Sequence, residues 1–235
     1  MSKLAVNHIT IRSPKIEQPL TLALCADFHN GDVELVLGAC EGVDAILIAG
    51  DLVDRHDKRT KGFANAVRFL EEAPDLAPTF YAIGNHERKL PALAEYWPHV
   101  EASQVTVLDD RFVAFEGIVL GGLSSREAVD TSWLQTMADQ SGFKLLLCHH
   151  PEHFRHVAPY DIDLTLSGHA HGGQVRIGRQ GLYAPGQGIL PKLTSGFYHD
   201  GRLLVSRGLT NATWAPRINC GCELIILHLQ GASHA

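Results

Sequence analysis

The sequence predicts an α/β fold in which two packed β-sheets are flanked by helices. Short apolar runs that end in polar residues recur along the chain, and helical patterns separate them through the first half. The second half has more hairpin character, which favours two packed sheets over one parallel sheet. With 235 residues, 45% of them hydrophobic, the chain can bury a large core. We expect a single domain over residues 1–235.

The first half of the chain reads as strands that alternate with helices. Continuous apolar runs followed by polar residues predict three buried strands with their loops, at residues 20–29, 44–54 and 78–87. Apolar residues at helical spacing predict three helices, at residues 33–42, 60–73 and 89–97. This alternation is typical of a parallel sheet that is covered on both faces.

The second half contains further strands and a hairpin. Apolar runs predict strands at residues 105–108, 144–151, 163–173, 202–208 and 222–230. Segment 111–123 looks like a hairpin that turns at Glu116-Gly117, and segment 132–140 reads as a helix. After Val175 the chain is rich in glycine and proline until the last two strands, which indicates a long irregular stretch.

Composition and charge argue against several classes of protein. The net charge of −6 offers no basic face for a nucleic acid. No signal peptide is evident, and no apolar run approaches the roughly 20 residues that span a bilayer, although peripheral lipid contact stays open. The five cysteines lack a CxxC pair and read as reduced thiols in a cytoplasmic protein. Cys220 and Cys222, without a second pair, read as structural rather than metal-binding.

Polar side chains collect where the predicted strands stop. They are Asp27, His29, Asp51, Asp54, Asn85, His86, His149, His150, His169 and His171. Ligands of open α/β sheets bind outside the carboxyl ends of the strands, so five strand ends bring carboxylate, amide and imidazole groups to one edge. Each residue alone could be a helix cap, a turn residue or a structural histidine. Five such strand ends in one architecture favour a functional site.

This set of donors suits metal-ion catalysis. Carboxylate, amide oxygen and imidazole without thiolate suit Mn, Fe, Zn or Co rather than a structural zinc site. The donors exceed what one ion needs, so we expect two divalent ions about 3.5–4 Å apart, with a bridging carboxylate and a bridging hydroxide. That hydroxide can attack phosphorus in line while the ions neutralise the phosphoryl oxygens. The glycines beside His169 and His171 allow the backbone to bend tightly there.

Five short motifs follow one another along the chain. They are DFH at 27–29, GDLVD at 50–54, GNHE at 84–87, HHP at 149–151 and GHAHGGQ at 168–174. In this order they resemble the calcineurin-like metallophosphoesterases, and the last motif resembles the bacterial branch that carries GHxHGGQ. The resemblance runs from about Leu22 to the end of the chain. It implies a four-layer αββα architecture and a metal-dependent phosphoric ester hydrolase.

The resemblance also implies a role for individual residues. The first metal would be held by Asp27, His29, Asp51 and His171. The second would be held by Asn85, His149, His169 and the bridging Asp51. His86 would protonate the leaving group, and Asp54 would orient His86 by a hydrogen bond. Arg55 resembles a phosphate-contacting arginine, with a surface ion pair as the alternative, and His150 is either substrate-facing or a surface residue.

The predicted reaction is hydrolysis of a phosphodiester or pyrophosphate bond in a small molecule, a nucleotide or a lipid-linked substrate. The alternatives are a phosphomonoesterase or phosphoprotein phosphatase, and a non-catalytic metal-binding scaffold. The irregular stretch and the chain after it offer side chains that could contact substrate or could simply pack. These are Arg176, Arg179, Tyr183, Lys192, Phe197, Tyr198 and Trp214.

Overall fold

A computed structural model describes residues 4–57, 61–178, 180–211 and 216–232, and it contains two six-stranded sheets. In spatial order the first sheet consists of Ala5–Ser13 (β1), Glu223–Gly231 (β16), Leu20–Cys25 (β2), Ala45–Ala49 (β3), Thr79–Ala82 (β4) and Thr106–Leu108 (β5). The second consists of Gly196–Tyr198 (β14), Leu203–Val205 (β15), Leu164–Ser167 (β9), Phe143–Cys148 (β8), Ile118–Leu123 (β7) and Arg111–Phe115 (β6). Two small antiparallel pairs precede β14, namely Arg176–Ile177 (β10) with Gln180–Gly181 (β11), and Tyr183–Ala184 (β12) with Gly188–Ile189 (β13).

Helices lie between the strands in the order predicted. They are Val33–Gly38 (α1), Ala64–Leu76 (α2), Asn85–Arg88 (α3), Leu93–Ala102 (α4), Leu134–Ala138 (α5) and Phe154–Val157 (α6). Two 3-10 turns, Pro151–His153 and His171–Gly173, follow β8 and β9. Asp32 directly precedes helix α1 and is its N-cap, because its carboxylate accepts the Leu35 N–H at 3.0 Å.

Three apolar layers hold the sheets and helices together. Between the sheets, alternate residues of both pack against each other, including Leu22, Leu47, Leu145 and Leu166. The outer face of the first sheet is covered by α1, α2 and α4, where α2 buries a stripe formed by Ala66, Phe69, Leu70 and Ala73. The outer face of the second sheet is covered by α5 and α6. The αββα architecture predicted from the sequence is therefore confirmed, while the single-domain organisation stays a prediction.

The direction of the strands places their polar ends together. Strands β2, β3, β4 and β5 are parallel, and so are β7, β8, β9 and β15. At the carboxyl ends, Asp51 after β3 approaches His149 after β8, and Asp27 after β2 accepts a hydrogen bond from His169 after β9. The two sheets therefore meet at one edge, where the predicted ligands lie.

One strand and several helix ends differ from the expectation. Strand β1 was not predicted because polar residues interrupt its apolar ones, none of its residues is buried, and its partner β16 lies more than 200 residues away. Helix α1 ends at Gly38 rather than at 42, and α4 extends to Ala102. The hairpin turn at Glu116 and Gly117 is confirmed, with positive φ at both residues. Within the described ranges, no helix is long and apolar enough to cross a membrane.

Candidate metal centre

The loops after the strands adopt an unusual backbone conformation. Five of the seven predicted ligands have φ between 46° and 67°, which costs energy for residues other than glycine. They are Asp27, His29, Asp51, His169 and His171. At these five predicted ligands the backbone adopts the left-handed region of φ/ψ space. We infer that the need to place the side chains outweighs the backbone strain.

Asp27, His29 and His171 form the first group of donors. The Nε2 atoms of His29 and His171 each lie 3.8 Å from Oδ1 of Asp27, and the two imidazole rings stack at 5.1 Å. All three side chains are buried. The His29 Nε2 atom is buried and has no hydrogen-bond partner among the described residues. A buried, unpaired imidazole nitrogen beside a carboxylate fits a divalent cation.

His149 and Asn85 form the second group around Asp51. Nε2 of His149 lies 3.1 Å from both Oδ2 of Asp51 and Oδ1 of Asn85. Nδ1 of His149 lies 2.8 Å from the Ala49 carbonyl, to which it donates. When the ring loses its second proton to a bound cation, that contact leaves the lone pair on Nε2, the tautomer that a metal ligand needs. His29 is held in the same way, with Nδ1 3.2 Å from the Val53 carbonyl.

Asp51 lies between the two groups. Its Oδ2 is 3.1 Å from His149 Nε2 and 3.9 Å from His29 Nε2, and its Oδ1 accepts the backbone N–H of His86 at 2.8 Å. A carboxylate oxygen within reach of donors from both groups has the placement that a bridging ligand requires.

The GHAHGGQ turn is tied directly to the DFH loop. The His169 N–H donates to both carboxylate oxygens of Asp27, each at 3.0 Å. A Cβ on Gly168 would lie 2.7 Å from Asp27 Oδ2, so no larger residue fits at that position. The histidine ring lies beside His149 and His150, with centroid distances of 5.1 and 4.0 Å. The glycine before His169 therefore permits close approach rather than flexibility.

Glu87, which the sequence analysis did not single out, organises the loops beneath the ligands. Its fully buried carboxylate accepts N–H bonds from Gly84, Asp51, Leu52 and Val53 at 2.6–3.2 Å. The carboxylate thereby joins the GDLVD and GNHE loops. Burial, followed by repulsion from Asp51, raises the pKa of Glu87. Its place in the GNHE motif was the only sequence signal for this role.

Charges within the centre support one another. Burial opposes ionisation of Asp51, but the neighbouring histidines, with His149 foremost, hold the pKa of Asp51 well below its usual value. Burial likewise opposes a charged His149, yet Asp51 outweighs it and raises the pKa of His149 to about 10. Burial lowers the pKa of His171 to about 4 despite the attraction of Asp27. Asp51 is thus ionised and His171 neutral, as cation binding requires, whereas a cation bound at His149 would displace its proton.

The contact predicted between Asp54 and His86 is not formed as a hydrogen bond. Nδ1 of His86 lies 3.6 Å from Asp54 Oδ1 and instead accepts the backbone N–H of Arg55 at 3.3 Å. The Asp54 carboxylate is engaged by the His56 N–H at 2.9 Å. In the tight loop after β3, backbone N–H groups bond to both His86 and Asp54 and so replace the direct contact between the two side chains. The motif gave no indication of this. Asp54 is a charged neighbour of His86 here rather than its hydrogen-bond partner.

Arg217, also missed from the sequence, lies behind His171. Its Nη2 is 3.0 Å from His171 Nδ1 and 2.8 Å from the Arg207 carbonyl. A guanidinium only donates, so Nδ1 accepts in this arrangement and the proton of His171 resides on Nε2. Binding of a cation through that Nε2 requires this contact to shift. His171 is therefore the one ligand of the first group that is not already in the tautomer for binding.

Comparison with known proteins agrees with this arrangement. The sequence model of the calcineurin-like phosphoesterases matches residues 20–173, which is more than half of the chain and includes every predicted ligand. The chain belongs to the calcineurin-like phosphoesterase family. The family expected from the sequence is confirmed, while the narrower GHxHGGQ branch stays a prediction.

Relatives of this phosphoesterase come from several bacteria. It is 28% identical to an uncharacterised metallophosphoesterase of Campylobacter jejuni, over 96% of this chain and 63% of that protein. It is 26% identical to Phosphodiesterase YaeI of Escherichia coli, over 90% and 82%. The solved NAD nucleotidase of Haemophilus influenzae gives a TM-score of 0.45 at 19% identity, over 66% and 39%. The chain spans about half to two thirds of the first curated relatives it matches.

A cavity of about 660 Å³ opens over the predicted metal centre of this phosphoesterase. Arg55 and His150, the predicted substrate contacts, both line it, as does His86. Tyr183 also lines it, whereas Arg176, Lys192, Phe197 and Tyr198 line a separate cavity of about 300 Å³. The remaining candidates, Arg179 and Trp214, lie outside the described residues. The wall facing the site thus comes mainly from the motif loops.

Proposed function

We propose that this phosphoesterase is a dinuclear-metal phosphodiesterase. The observation that carries the proposal is Asp51, whose carboxylate lies between two groups of donors at the base of one cavity. The first group is Asp27, His29 and His171, and the second is Asn85, His149 and His169. The E. coli relative named a phosphodiesterase supports a diester substrate.

The donor set suits two divalent ions such as Mn, Fe or Zn, because it contains oxygen and imidazole nitrogen without thiolate. When bound, two such ions neutralise charge on phosphoryl oxygens and lower the pKa of water. The seven residues would hold the ions, and Asp51 would contact both. Five free, buried cysteines agree with a reducing compartment, and the cytoplasmic location stays a prediction.

Protein groups around the ions have distinct tasks. His86 lines the cavity next to Asp51, with Nε2 4.0 Å from Asp51 Oδ2. Burial lowers the pKa of His86 to about 3 and its Nδ1 accepts the Arg55 N–H, so the neutral ring would donate a hydrogen bond from Nε2 to the leaving oxygen. Arg55 would contact a phosphate oxygen of the substrate. His150 is held by Glu152, with Nδ1 3.2 Å from Oε1, and would contact the substrate from its position in the cavity lining.

The test is metal-dependent turnover. Metal-stripped protein is titrated with Mn²⁺, and hydrolysis of bis-p-nitrophenyl phosphate is compared with that of p-nitrophenyl phosphate. We expect turnover that requires metal, prefers the diester and falls at least about 1,000-fold in Asp51→Asn. Asp75→Asn, an exposed carboxylate on α2, is the matched control. Preference for the monoester would indicate a phosphatase, and full metal loading without turnover would indicate a binding scaffold.

A further inference from the structure

The cavity above the predicted metal centre carries more positive charge than a single phosphoryl group needs. Among its described lining residues, Arg55 and Lys89 are fixed cations, and Asp51 is the only carboxylate. That carboxylate belongs to the predicted metal centre. The chain as a whole has a net charge of −6, and Asp54 and Glu152 lie behind lining histidines, so two fixed cations in the lining depart from the charge of their surroundings.

These cations lie on one side of the cavity, next to His86. Lys89 is the C-cap residue that ends α3, three residues after His86, and both line the cavity. The Arg55 backbone N–H donates to His86 Nδ1 at 3.3 Å. His56 lies edge-on to His86, with ring centroids 5.4 Å apart. We call Arg55, His56 and Lys89 the basic wall.

Two side chains of the basic wall are hydrogen-bonded to each other, and one of its donors has no partner among the described residues. Nε of Arg55 donates to Nε2 of His56 at 3.1 Å, which fixes the two side chains relative to each other. Nη1 of Arg55 is buried and has no hydrogen-bond partner among the described residues. A buried guanidinium nitrogen without a partner, in a cavity wall, is suited to an anionic oxygen.

Another part of the lining has a different character. It comes from Tyr183, Pro185 and Gly186, which carry no charge. A substrate that matches both parts of the lining has an anionic part beside His86 and an uncharged part beside Tyr183. The cavity therefore distinguishes the two ends of a substrate.

We propose that the basic wall binds a second phosphate, located in the leaving group, and that the substrate is a pyrophosphate-linked molecule. This inference rests on the proposed function, in which His86 lies on the leaving-group side. One water molecule adds to the phosphorus at the metal centre, and the bond from that phosphorus to the bridging oxygen breaks. The bridging oxygen keeps the electron pair and leaves on the second phosphate, so the two products are phosphate monoesters.

A phosphate leaving group explains why cations are collected beside His86. Breaking the bond leaves additional negative charge on the second phosphate, which Arg55 and Lys89 are placed to offset. A simple alcohol leaving group has no second phosphate whose negative charge the two cations could offset. His56 and Lys89 are thus specificity-determining residues that the sequence motifs alone did not indicate.

The test compares ligands that differ by one phosphate. With Mn²⁺-loaded protein hydrolysing bis-p-nitrophenyl phosphate, the competition constants of AMP and ADP are measured at fixed free Mn²⁺. We expect ADP to compete at least about ten-fold more strongly than AMP, because it reaches both the metal centre and the basic wall. In Lys89→Met the preference should fall below about three-fold, whereas Lys89→Arg should retain it. Lys192→Met, an exposed lysine outside this cavity, is the matched control.

Equal competition by AMP and ADP in the unaltered protein would overturn the inference, as would a preference that survives in Lys89→Met. Failure of the proposed function gives a different result, namely no Mn²⁺-dependent turnover of the reporter diester. In that case the binding of AMP and ADP to Mn²⁺-loaded protein is measured by calorimetry, and the same ten-fold preference and its loss in Lys89→Met are required.

Discussion

The loops that carry the predicted ligands and the segment 174–198 border the same cavity but are held in different ways. Buried carboxylates fix the loops, since Glu87 accepts four backbone N–H groups and Asp27 accepts the N–H of His169. The segment contains four two-residue strands and leaves Ile177, Ile189 and Leu190 largely exposed. We therefore assign the chemical step to the hydrogen-bonded ligand loops. We assign adjustment to different substrates to the loosely packed segment 174–198.

Gly84→Ala should have the largest effect on activity. Gly84 has φ of −89°, so alanine meets no backbone strain, but its Cβ would lie 2.2 Å from Asp51 Oδ1. Displacement of Asp51 should lower kcat/KM for bis-p-nitrophenyl phosphate by about 100-fold. The control is Gly221→Ala, whose Cβ meets nothing within 4 Å. Activity of Gly84→Ala within two-fold of the unaltered protein would contradict the rigid packing of these loops.

Glu87→Gln should be the most destabilising of the changes. Glutamine has one acceptor oxygen, and its NH₂ group would face backbone N–H donors that have no other partner. We expect the free energy of unfolding to fall by about 2–4 kcal/mol in urea denaturation of the metal-free protein. Glu95→Gln, at an exposed position on α4, should change it by less than about 0.5 kcal/mol. Similar values for both variants would show that the carboxylate does not join the loops.

Mild acid should destabilise the metal-free protein. Burial lowers the pKa of His86 to about 3 and that of His171 and His153 to about 4. Below the unfolded pKa near 6.5 the unfolded chain takes up protons that the folded chain does not. The free energy of unfolding should then fall by about 1.4 kcal/mol per pH unit for each such proton as pH drops from 6.5 towards 4.

The pH dependence that His149 contributes to the free energy of unfolding has the opposite sign and lies above pH 6.5. Its pKa is raised to about 10, so its contribution is complete below pH 6.5 and is lost as pH rises towards 10. Urea denaturation at pH 7, 6 and 5 checks the prediction. Stability that stays constant from pH 7 to 5 would contradict the neutral, buried state of the other three histidines.

Tyr183→Ala, in the segment, should have the smallest effect. The side chain lines the cavity but is half-buried, so its removal should raise KM by less than about ten-fold and leave kcat nearly unchanged. The free energy of unfolding should change by no more than about 1 kcal/mol. A loss of kcat comparable with that of Gly84→Ala would mean that the segment takes part in the chemistry.

The sequence was most informative where a feature is local. Apolar runs located the central strands, and their polar ends located the seven predicted ligands, because parallel strands bring their carboxyl ends to one edge. Strand β1 was missed because its pattern is half exposed and its partner lies at the other end of the chain. The helix ends shifted because packing, rather than propensity, decides where short helices stop.

Contacts between loops were the least predictable part of the site. Glu87 accepts N–H groups that lie 35 and 36 residues earlier in the chain, and only the folded loops reveal their direction. The Arg55 backbone N–H takes the place expected for Asp54 at His86. Arg217 contacts His171 although it lies 46 residues further along the chain. Motifs thus identified which side chains meet, but not which backbone groups hold them.

The central claim is that Asp51 bridges two metal ions. The most direct measurement is anomalous diffraction from crystals of the Mn²⁺-loaded protein, with metal content determined on the same sample. The account predicts two ions about 3.5–4 Å apart, both in contact with Asp51, one near His29 and the other near His149. A single ion, or two ions of which only one contacts Asp51, would contradict it.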